Sequence, residues 1–392
     1  MPTRSASWLL GLVPVIFFAV QVSGECWIPG RCQGVLTNII HSESKENCLE
    51  TCQTDSECNW FTFDTSDGTC YHFNSCPTVD DSCFTCVSGE SSCENEGNTK
   101  FLVVSGDDYN NDTEILELSS WPSGTCSKPD DLIANRYGGF LMTDSTQSPL
   151  FCGGRFDQDY FQDCQQFSYG TNQWSTTTTS MAEKRWLAKS LELSSDQWWI
   201  TGGFNGESKL NSTEVFKNGQ FSPGPQLPEA AYDHCIVATQ NGNAILTGGD
   251  TENAFASNRT WKHDWTTGEW SPLPDLAIAR TAHACGLTPE GRVFVAGGDW
   301  MGGGDLLSTE ILTPDMSAWE PGPDLPFGVM RGASVQFQNQ ALIVGGYWDG
   351  EAGNGVMAFD GIMWVVKNQT LAINRQWHSA IVIPNELVQN CG

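Results

Sequence analysis

After residue 100 this chain alternates short apolar runs with polar turns, and the apolar runs recur at a nearly constant interval. FLVV (101–104), LFC (150–152), WWIT (198–201), AILT (244–247), VFVA (293–296) and ALIV (341–344) are β-prone and each leads into a pair of small residues. The pairs are Ser105-Gly106, Gly153-Gly154, Gly202-Gly203, Gly248-Gly249, Gly297-Gly298 and Gly345-Gly346. Three further strand-like pieces surround each run. The one before it follows a loop that usually carries arginine: GGFLMT, AKSLEL, HCIVAT, HACGLT, ASVQFQ and HSAIVI. The one after it often holds Thr-Glu with apolar residues, as in TEILEL, TEVFK and TEILTP, and the last carries an aromatic: Trp121, Trp174, Phe221, Trp270, Trp319 or Trp364. Asn218-Gly219, Asn241-Gly242 and Asp360-Gly361 supply hairpin turns.

The second residues of the pairs lie 48, 49, 46, 49 and 48 positions apart. A period near 50 whose strands end in paired glycines indicates the blades of a propeller. Gly-Gly after an apolar strand, followed 15 to 21 residues later by an aromatic, resembles the kelch-repeat family across nearly all of residues 100–392. The resemblance implies an all-β fold of six four-stranded blades. Paired glycines let the backbone pass where blades converge, and the tryptophan fills the wedge between neighbours. The first repeat starts in its second strand and the last ends in a first strand, HSAIVI (378–383). The C-terminal strand is therefore expected to complete the first blade, which closes the ring and removes open edges.

Residues 25–95 read differently. Ten of the 16 cysteines fall between Cys26 and Cys93. The pattern predicts a short helix in SKENCLETCQ, capped by Ser44, with Cys48 and Cys52 on one face. Two aromatic strands, CNWFTF and TCYHF, follow around Ser66-Asp67-Gly68. This is too little apolar surface to stand without cross-links. From Cys48 to Phe73 the spacing resembles the PAN/apple family, a disulfide-rich α+β domain. That resemblance implies bridges between helix and sheet, with Cys48–Cys70 and Cys52–Cys58 as the pairs by analogy, and a role in binding protein or carbohydrate. Zinc at Cys83-x2-Cys86 would need a reducing compartment and a second ligand pair of similar spacing, and the secretory features of residues 1–24 argue against it.

Composition sets the address. Residues 1–24 carry Arg4, an apolar stretch from Trp8 to Val22 and the small-residue site Val22-Ser23-Gly24, the features of a secretory signal. No later run is long enough to span a bilayer as a helix. Without Arg4 the 19 basic residues become 18 against 47 acidic ones, a net charge of −29. Nucleic acid and anionic membrane are disfavoured partners for such a surface. Cysteines in a secreted chain read as disulfides.

In an up-and-down blade the 2–3 and 4–1 loops leave from one face, and several candidates share it. Arg136, Arg185, Arg280, Arg331 and Arg375 precede strand one in five blades, with Ala231 in the remaining one. They form a candidate ligand-binding arc at the channel mouth, and the kelch resemblance implies that such arginines engage acidic peptides. Pairing with Asp107, Asp108, Asp157, Asp250, Asp299 or Asp349 of the 2–3 loops is the favoured competing reading. Sequons at Asn111, Asn211, Asn258 and Asn368 place N-glycans on the same face. His234, His283 and His378 occupy equivalent positions, where structural hydrogen bonding is preferred over a shared metal ion. Cys152–Cys164 is expected within one blade and Cys126–Cys391 as a lock on the ring. Cys235 and Cys285 are one place out of register and are expected to remain buried thiols.

No nucleophile–base pair, phosphate loop or HExxH motif occurs, and no cofactor is implied. The sequence is thus read as a secreted, glycosylated, non-catalytic protein that binds extracellular protein or glycan. The alternatives are a carbohydrate-active enzyme, a copper oxidase of the galactose-oxidase type, and a structural component of an extracellular matrix.

Overall fold

The structure is a computed structural model that describes residues 27–29, 31–32, 36–41, 60–64, 69–73, 79–80, 86–90, 100–106, 111–117, 129–239, 241–300, 304–337, 340–348 and 350–383. The chain divides into two units, Met1–Asn98 with Leu118–Pro122, and Thr99–Glu117 with Ser123–Gly392. Among the described residues every regular element is a β-strand.

The first unit contains a five-stranded sheet in the order Trp27–Pro29, Cys86–Glu90, Trp60–Asp64, Thr69–Phe73, Leu36–His41. Its two aromatic strands form the expected hairpin, with Asp64 opposite Thr69 at the turn. Cys70 is fully buried and disulfide-bonded. Cys48, Cys52 and Cys58, the helix expected around them, the signal segment, Trp121, Cys126 and Cys391 lie outside the described residues.

The second unit is a six-bladed propeller. Blade 1 joins Ser379–Ile383, Lys100–Val104 and Thr113–Glu117. Blades 2 to 6 each have four main strands in sequential order, with inner strands Tyr137–Thr143, Lys189–Ser194, Cys235–Ala238, Ala284–Leu287 and Ala333–Phe337, and in blade 2 the short strand Asp159–Tyr160 also pairs with the second strand. The C-terminal strand pairs with the first, Ser379 opposite Val104 and Ile383 opposite Lys100, so both ends of the unit meet in blade 1.

Successive residues of a strand point to opposite faces, and here both faces are covered. In blade 2, Phe140 packs with Ile200 and Phe216 of blade 3, whereas Leu141 packs with Leu102 and Val104 of blade 1. In blade 5, Val293 and Val295 face Val237 and Ile245 of blade 4, while Phe294 faces Ile343 and Phe359 of blade 6. The runs are therefore apolar at every position because alternate residues serve two interfaces. Fully burying each such side chain contributes about 1.5–3 kcal/mol.

The four fourth-strand tryptophans among the described residues reach back to the preceding blade. Trp174 and Trp364 donate their indole N–H to Thr113 Oγ1 and Thr309 Oγ1 at 3.0 and 3.1 Å. Trp270 and Trp319 donate to the carbonyls of Gln226 and Pro274 at 2.8 and 3.0 Å.

The glycine ladder has two causes. Both residues of each Gly-Gly pair take positive φ, 56–66° for the first and 90–114° for the second. A Cβ on the first glycine of blades 2 to 5 would also strike the carbonyl of the 4–1 segment that follows, that of Arg185, Ala231, Arg280 or Val329. In blade 1 the first position is Ser105, at φ 69°. Its hydroxyl turns the approach into a hydrogen bond to the Arg136 carbonyl.

Candidate functional site

The 4–1 segments build the face on which the candidate residues sit, beginning with four ion pairs made by buried arginines. Arg185 is fully buried and meets Glu214 through Nη2 at 3.1 Å. Arg280 meets Glu310 at 2.8 Å and Arg375 meets Glu114 at 2.8 Å. Each arginine also donates to main-chain carbonyls at the end of strand two and the start of strand three, as Arg280 does to Gly297 and Ser308 at 2.7 and 3.0 Å. The glutamates in turn accept from the 4–1 backbone, at Ala182, Ala277 and Ala372. Arg136 instead pairs with Asp163, at 3.1 Å. The carboxylates are thus those of the third strand, the Thr-Glu motif in three blades, and not the expected 2–3-loop aspartates. Of these, Asp250 pairs with Lys209, Asp157 and Asp299 pair with no arginine among the described residues, and Asp107, Asp108 and Asp349 lie outside the described residues.

Arg331 does not belong to this set. The main chain shows which residues are equivalent: the second glycine of each pair donates to the carbonyl of Arg185, Ala231, Arg280, Val329 and Arg375 in turn. Val329 therefore holds the arginine position of blade 6, and Arg331 stands two residues beyond it. Its equivalents are Gly138, Leu187, Asp233, Ala282 and Trp377.

These six residues form a collar. All have positive φ, from 52° to 66°, a conformation that costs a non-glycine residue about 1–2 kcal/mol. Each N–H donates to the carbonyl of the equivalent residue one blade back: Leu187 to Gly138, Asp233 to Leu187, Ala282 to Asp233, Arg331 to Ala282, Trp377 to Arg331 and Gly138 to Trp377, all at 2.7–3.0 Å. The cycle closes on itself and satisfies one donor and one acceptor per blade where backbone turns inward. Beneath it, the inner strands of all six blades line a central cavity of about 480 Å³, with Lys189, Ser190, Glu192, Ser334 and Gln336 among its polar groups. Lys189 reaches Asp233 at 3.5 Å. Burial pushes the Asp233 carboxyl up, against a weaker opposing pull from Lys189 and Arg331.

Aromatic side chains crowd the collar over blades 2 to 4. Tyr137, Trp186 and Tyr232 each follow the arginine position, and Trp377 is a collar residue. Tyr137 stacks with Trp377 at 5.7 Å and Trp186 with Tyr232 at 5.8 Å, and Trp186 lies 6.4 Å from Trp377. Tyr160 and Phe204 of the 2–3 loops meet Trp186 edge-on at 6.3 and 6.5 Å. Gly138 makes room for this packing, since a Cβ there would overlap the Trp186 pyrrole ring. Three cations enter the cluster, one of them Lys209, which lies 5.6 Å over Tyr232 and pairs with Asp250. Arg155 lies over Trp186, Tyr137 and Tyr160 at 4.7, 5.3 and 5.8 Å. Arg331 lies over Trp377 at 4.3 Å and donates to Gln376 Oε1 at 3.2 Å. The repeat held a signal for this site: Arg-Tyr, Arg-Trp and Ala-Tyr stand at one position of three consecutive blades.

The histidines lie one residue beyond the collar. His234 Nε2 meets Thr201 Oγ1 at 2.8 Å and His283 Nε2 meets Thr247 Oγ1 at 2.9 Å, each across a blade boundary. For His378 the residue at the threonine position is Val344. Burial holds His234 and His378 down to about 3 and His283 well below the ordinary imidazole range.

Cys152 and Cys164 form the expected bridge between strands two and three of blade 2. Cys235 and Cys285, expected as thiols, are also disulfide-bonded, with Cα atoms 6.1 Å apart. They do occupy opposite faces of their own strands. In stacked blades that is the arrangement that brings them together, because one face of blade 4 packs on the other face of blade 5.

Three sequons coincide with the repeat itself. Asn111, Asn211 and Asn258 occupy one position, two residues before the buried threonines Thr113, Thr213 and Thr260. The side-chain amides of Asn111 and Asn258 donate to Leu132 and Leu276 carbonyls at 2.8 and 3.3 Å, as Asn354 does to Leu371 where no sequon exists. Asn211 and Asn368 are exposed.

Fold and face together define the class: a six-bladed β-propeller with an aromatic-lined mouth. No family model matches the chain. Spermatocyte protein spe-26 of Caenorhabditis elegans is 33% identical over 97 residues, which is 24% of this chain and 16% of that protein. The solved structure of YjhT aligns with a TM-score of 0.52 at 15% identity, covering 69% of this chain and 92% of that one. At that identity the likeness speaks to the fold.

Proposed function

We propose that this chain is a secreted, non-catalytic recognition protein of the kelch type. Its propeller binds an extracellular glycan or protein at the collar mouth, and an apple-like domain at residues 25–95 provides a second contact. The observation that carries this reading is the cluster of Tyr137, Trp186, Tyr232 and Trp377, half-exposed apart from Tyr137, around the hydrogen-bonded collar. Concave aromatic surfaces with a few oriented polar groups are the usual form of a binding site. The other conspicuous groups support a non-catalytic role, since four arginines are committed to carboxylates and two histidines to threonines within the frame.

The test uses the full secreted chain on a glycan array and on extracellular fluid, beside the Trp186→Ala and Trp377→Ala variants. Retention of a ligand by the parent protein, lost at least tenfold in both variants while their melting temperatures hold, is the expected result. Ligand capture untouched by either substitution moves the binding surface elsewhere. Stoichiometric copper with alcohol oxidation by the purified protein overturns the non-catalytic reading.

A further inference from the structure

Arg155 differs from every buried arginine of this face. Arg136, Arg185, Arg280 and Arg375 each hold a carboxylate at 2.8–3.1 Å. Arg155 is half-buried and faces Tyr137 and Tyr160 as cross-strand neighbours on either side. Its Nε is buried without a hydrogen-bond partner. No carboxylate among the described residues pairs with it, in a chain with 47 acidic residues. A guanidinium withdrawn from water against three aromatic rings gains from the ring faces, but its N–H fork is shaped for a planar, two-oxygen anion.

We propose that Arg155 is the anion-recognition residue of the mouth and that the ligand is a saccharide bearing a carboxylate, of the uronic-acid kind. This rests on the mouth being the ligand surface. The choice of saccharide over peptide comes from the backbone. All six collar N–H groups are used within the collar, and the adjoining loops pair with one another at Trp186–Phe204, Thr281–Asp299 and Met330–Tyr347. An extended peptide therefore finds few main-chain partners here. A sugar ring needs none: Trp186, Trp377, Tyr232 and Phe204 offer flat apolar surface. Lys209 is held by Asp250 and Arg331 by Gln376, so Arg155 supplies the charged contact that fixes orientation.

Titration calorimetry of the full secreted chain with trisaccharides of galacturonate and glucuronate, and with their neutral galactose and glucose counterparts, decides the matter. At least one uronate is expected to bind at least tenfold more tightly than its neutral counterpart, with affinity falling as salt rises. Arg155→Gln is expected to lose tenfold or more at an unchanged melting temperature, and Arg155→Lys to fall between the two. Failure of both uronates to bind, equal affinity for acidic and neutral sugars, or undiminished binding by Arg155→Gln overturns the assignment. So does an acidic peptide that binds through Arg155 when no uronate does. Trp186-dependent binding of a neutral sugar would leave the mouth as the binding surface and remove only the acidic specificity.

Discussion

Blades 5 and 6 share one backbone frame and fill it with opposite chemistry. In blade 5 the 4–1 segment carries Arg280 and the third strand carries Glu310, joined at 2.8 Å. In blade 6 the same two positions are Val329 and Met357, both at 2% exposure or less. Blade 4 repeats the second solution with Ala231 and Trp261. Nowhere in the ring does an arginine at this position lack its carboxylate, and where Gln165 replaces the glutamate in blade 2, Asp163 takes over. The frame thus tolerates a pair or no pair, and never half of one. That follows from the cost of dehydrating a charge: the pair is weak evidence for extra stability, but an orphaned member is severely unfavourable.

The largest effect should come from making the half-pair that the ring avoids. Glu310→Gln leaves Arg280 buried and uncompensated, and is expected to cost about 3–5 kcal/mol. The double variant Arg280→Val with Glu310→Met copies blade 6 and should lie within about 2 kcal/mol of the parent. Chemical denaturation of the three proteins measures this. A double variant as unstable as the single one would show that blade 5 needs the charges themselves.

Blades 4 and 6, which both lack the pair, are tied to blade 5 by different means. Blade 6 accepts hydrogen bonds from the blade 5 inner strand, Cys285 N–H to Ser334 Oγ at 3.3 Å and Leu287 N–H to Gln336 Oε1 at 2.9 Å. Blade 4 uses the Cys235–Cys285 disulfide, which spans 50 residues against 12 for Cys152–Cys164. Replacing both cysteines of the longer bridge by alanine should cost about 2–4 kcal/mol, and more than the same change in the shorter one. Equal losses in thermal melts would place the effect in local packing instead of chain constraint.

These contrasts also mark what was legible in the residues alone. The ladder, six blades, the C-terminal closing strand and Cys152–Cys164 all follow from spacing along the chain, either within one repeat or from where the run of repeats starts and stops. What was lost depends on contacts between repeats or on main-chain register. Arg331 precedes a strand as the other arginines do, and only the carbonyl accepting from Gly298 shows that Val329 holds their place. Cys235 and Cys285 were placed correctly on opposite strand faces, yet the consequence appears only when two sheets are stacked. The Thr-Glu motif was visible in three of the four blades that carry the arginine, so the glutamate partners had a signal in the sequence. Arg155 had none, since its meaning lies in the absence of a partner.

Acid should separate the blades that carry a buried histidine from those that do not. His234 and His378 are held near 3 by burial, whereas an unfolded chain binds the proton near 6.5. Between those values the unfolded state carries more protons, so stability is complete above about pH 6.5 and falls as the pH drops toward 3. Each histidine contributes about 1.4 kcal/mol per pH unit within that window. An unfolded carboxylate titrates near 4, at the lower end of that window, so the comparison is made from pH 6.5 to 5.5. His234→Gln should flatten the fall in melting temperature over that interval. Parallel slopes for parent and variant would mean that the imidazole takes up its proton without unfolding.

The smallest effect concerns the threonine each histidine faces across a blade boundary. His283 has the Thr247 hydroxyl at 2.9 Å, and His378 has Val344 in its place. A single neutral hydrogen bond contributes about 0.5–1.5 kcal/mol, with a larger penalty when the surviving partner stays buried. Thr247→Val, which turns this boundary into the one at His378, should therefore cost about 1–2 kcal/mol. The reverse change, Val344→Thr, should return about 0.5–1 kcal/mol if the new hydroxyl finds the His378 ring. Both substitutions nearly conserve volume, so packing contributes little to the difference. Denaturation midpoints that move in opposite directions would establish the threonine as the blade-boundary partner of the imidazole. A loss in both variants would show that the frame around His378 has settled around valine, and that the two boundaries are alternative solutions and not stronger and weaker versions of one.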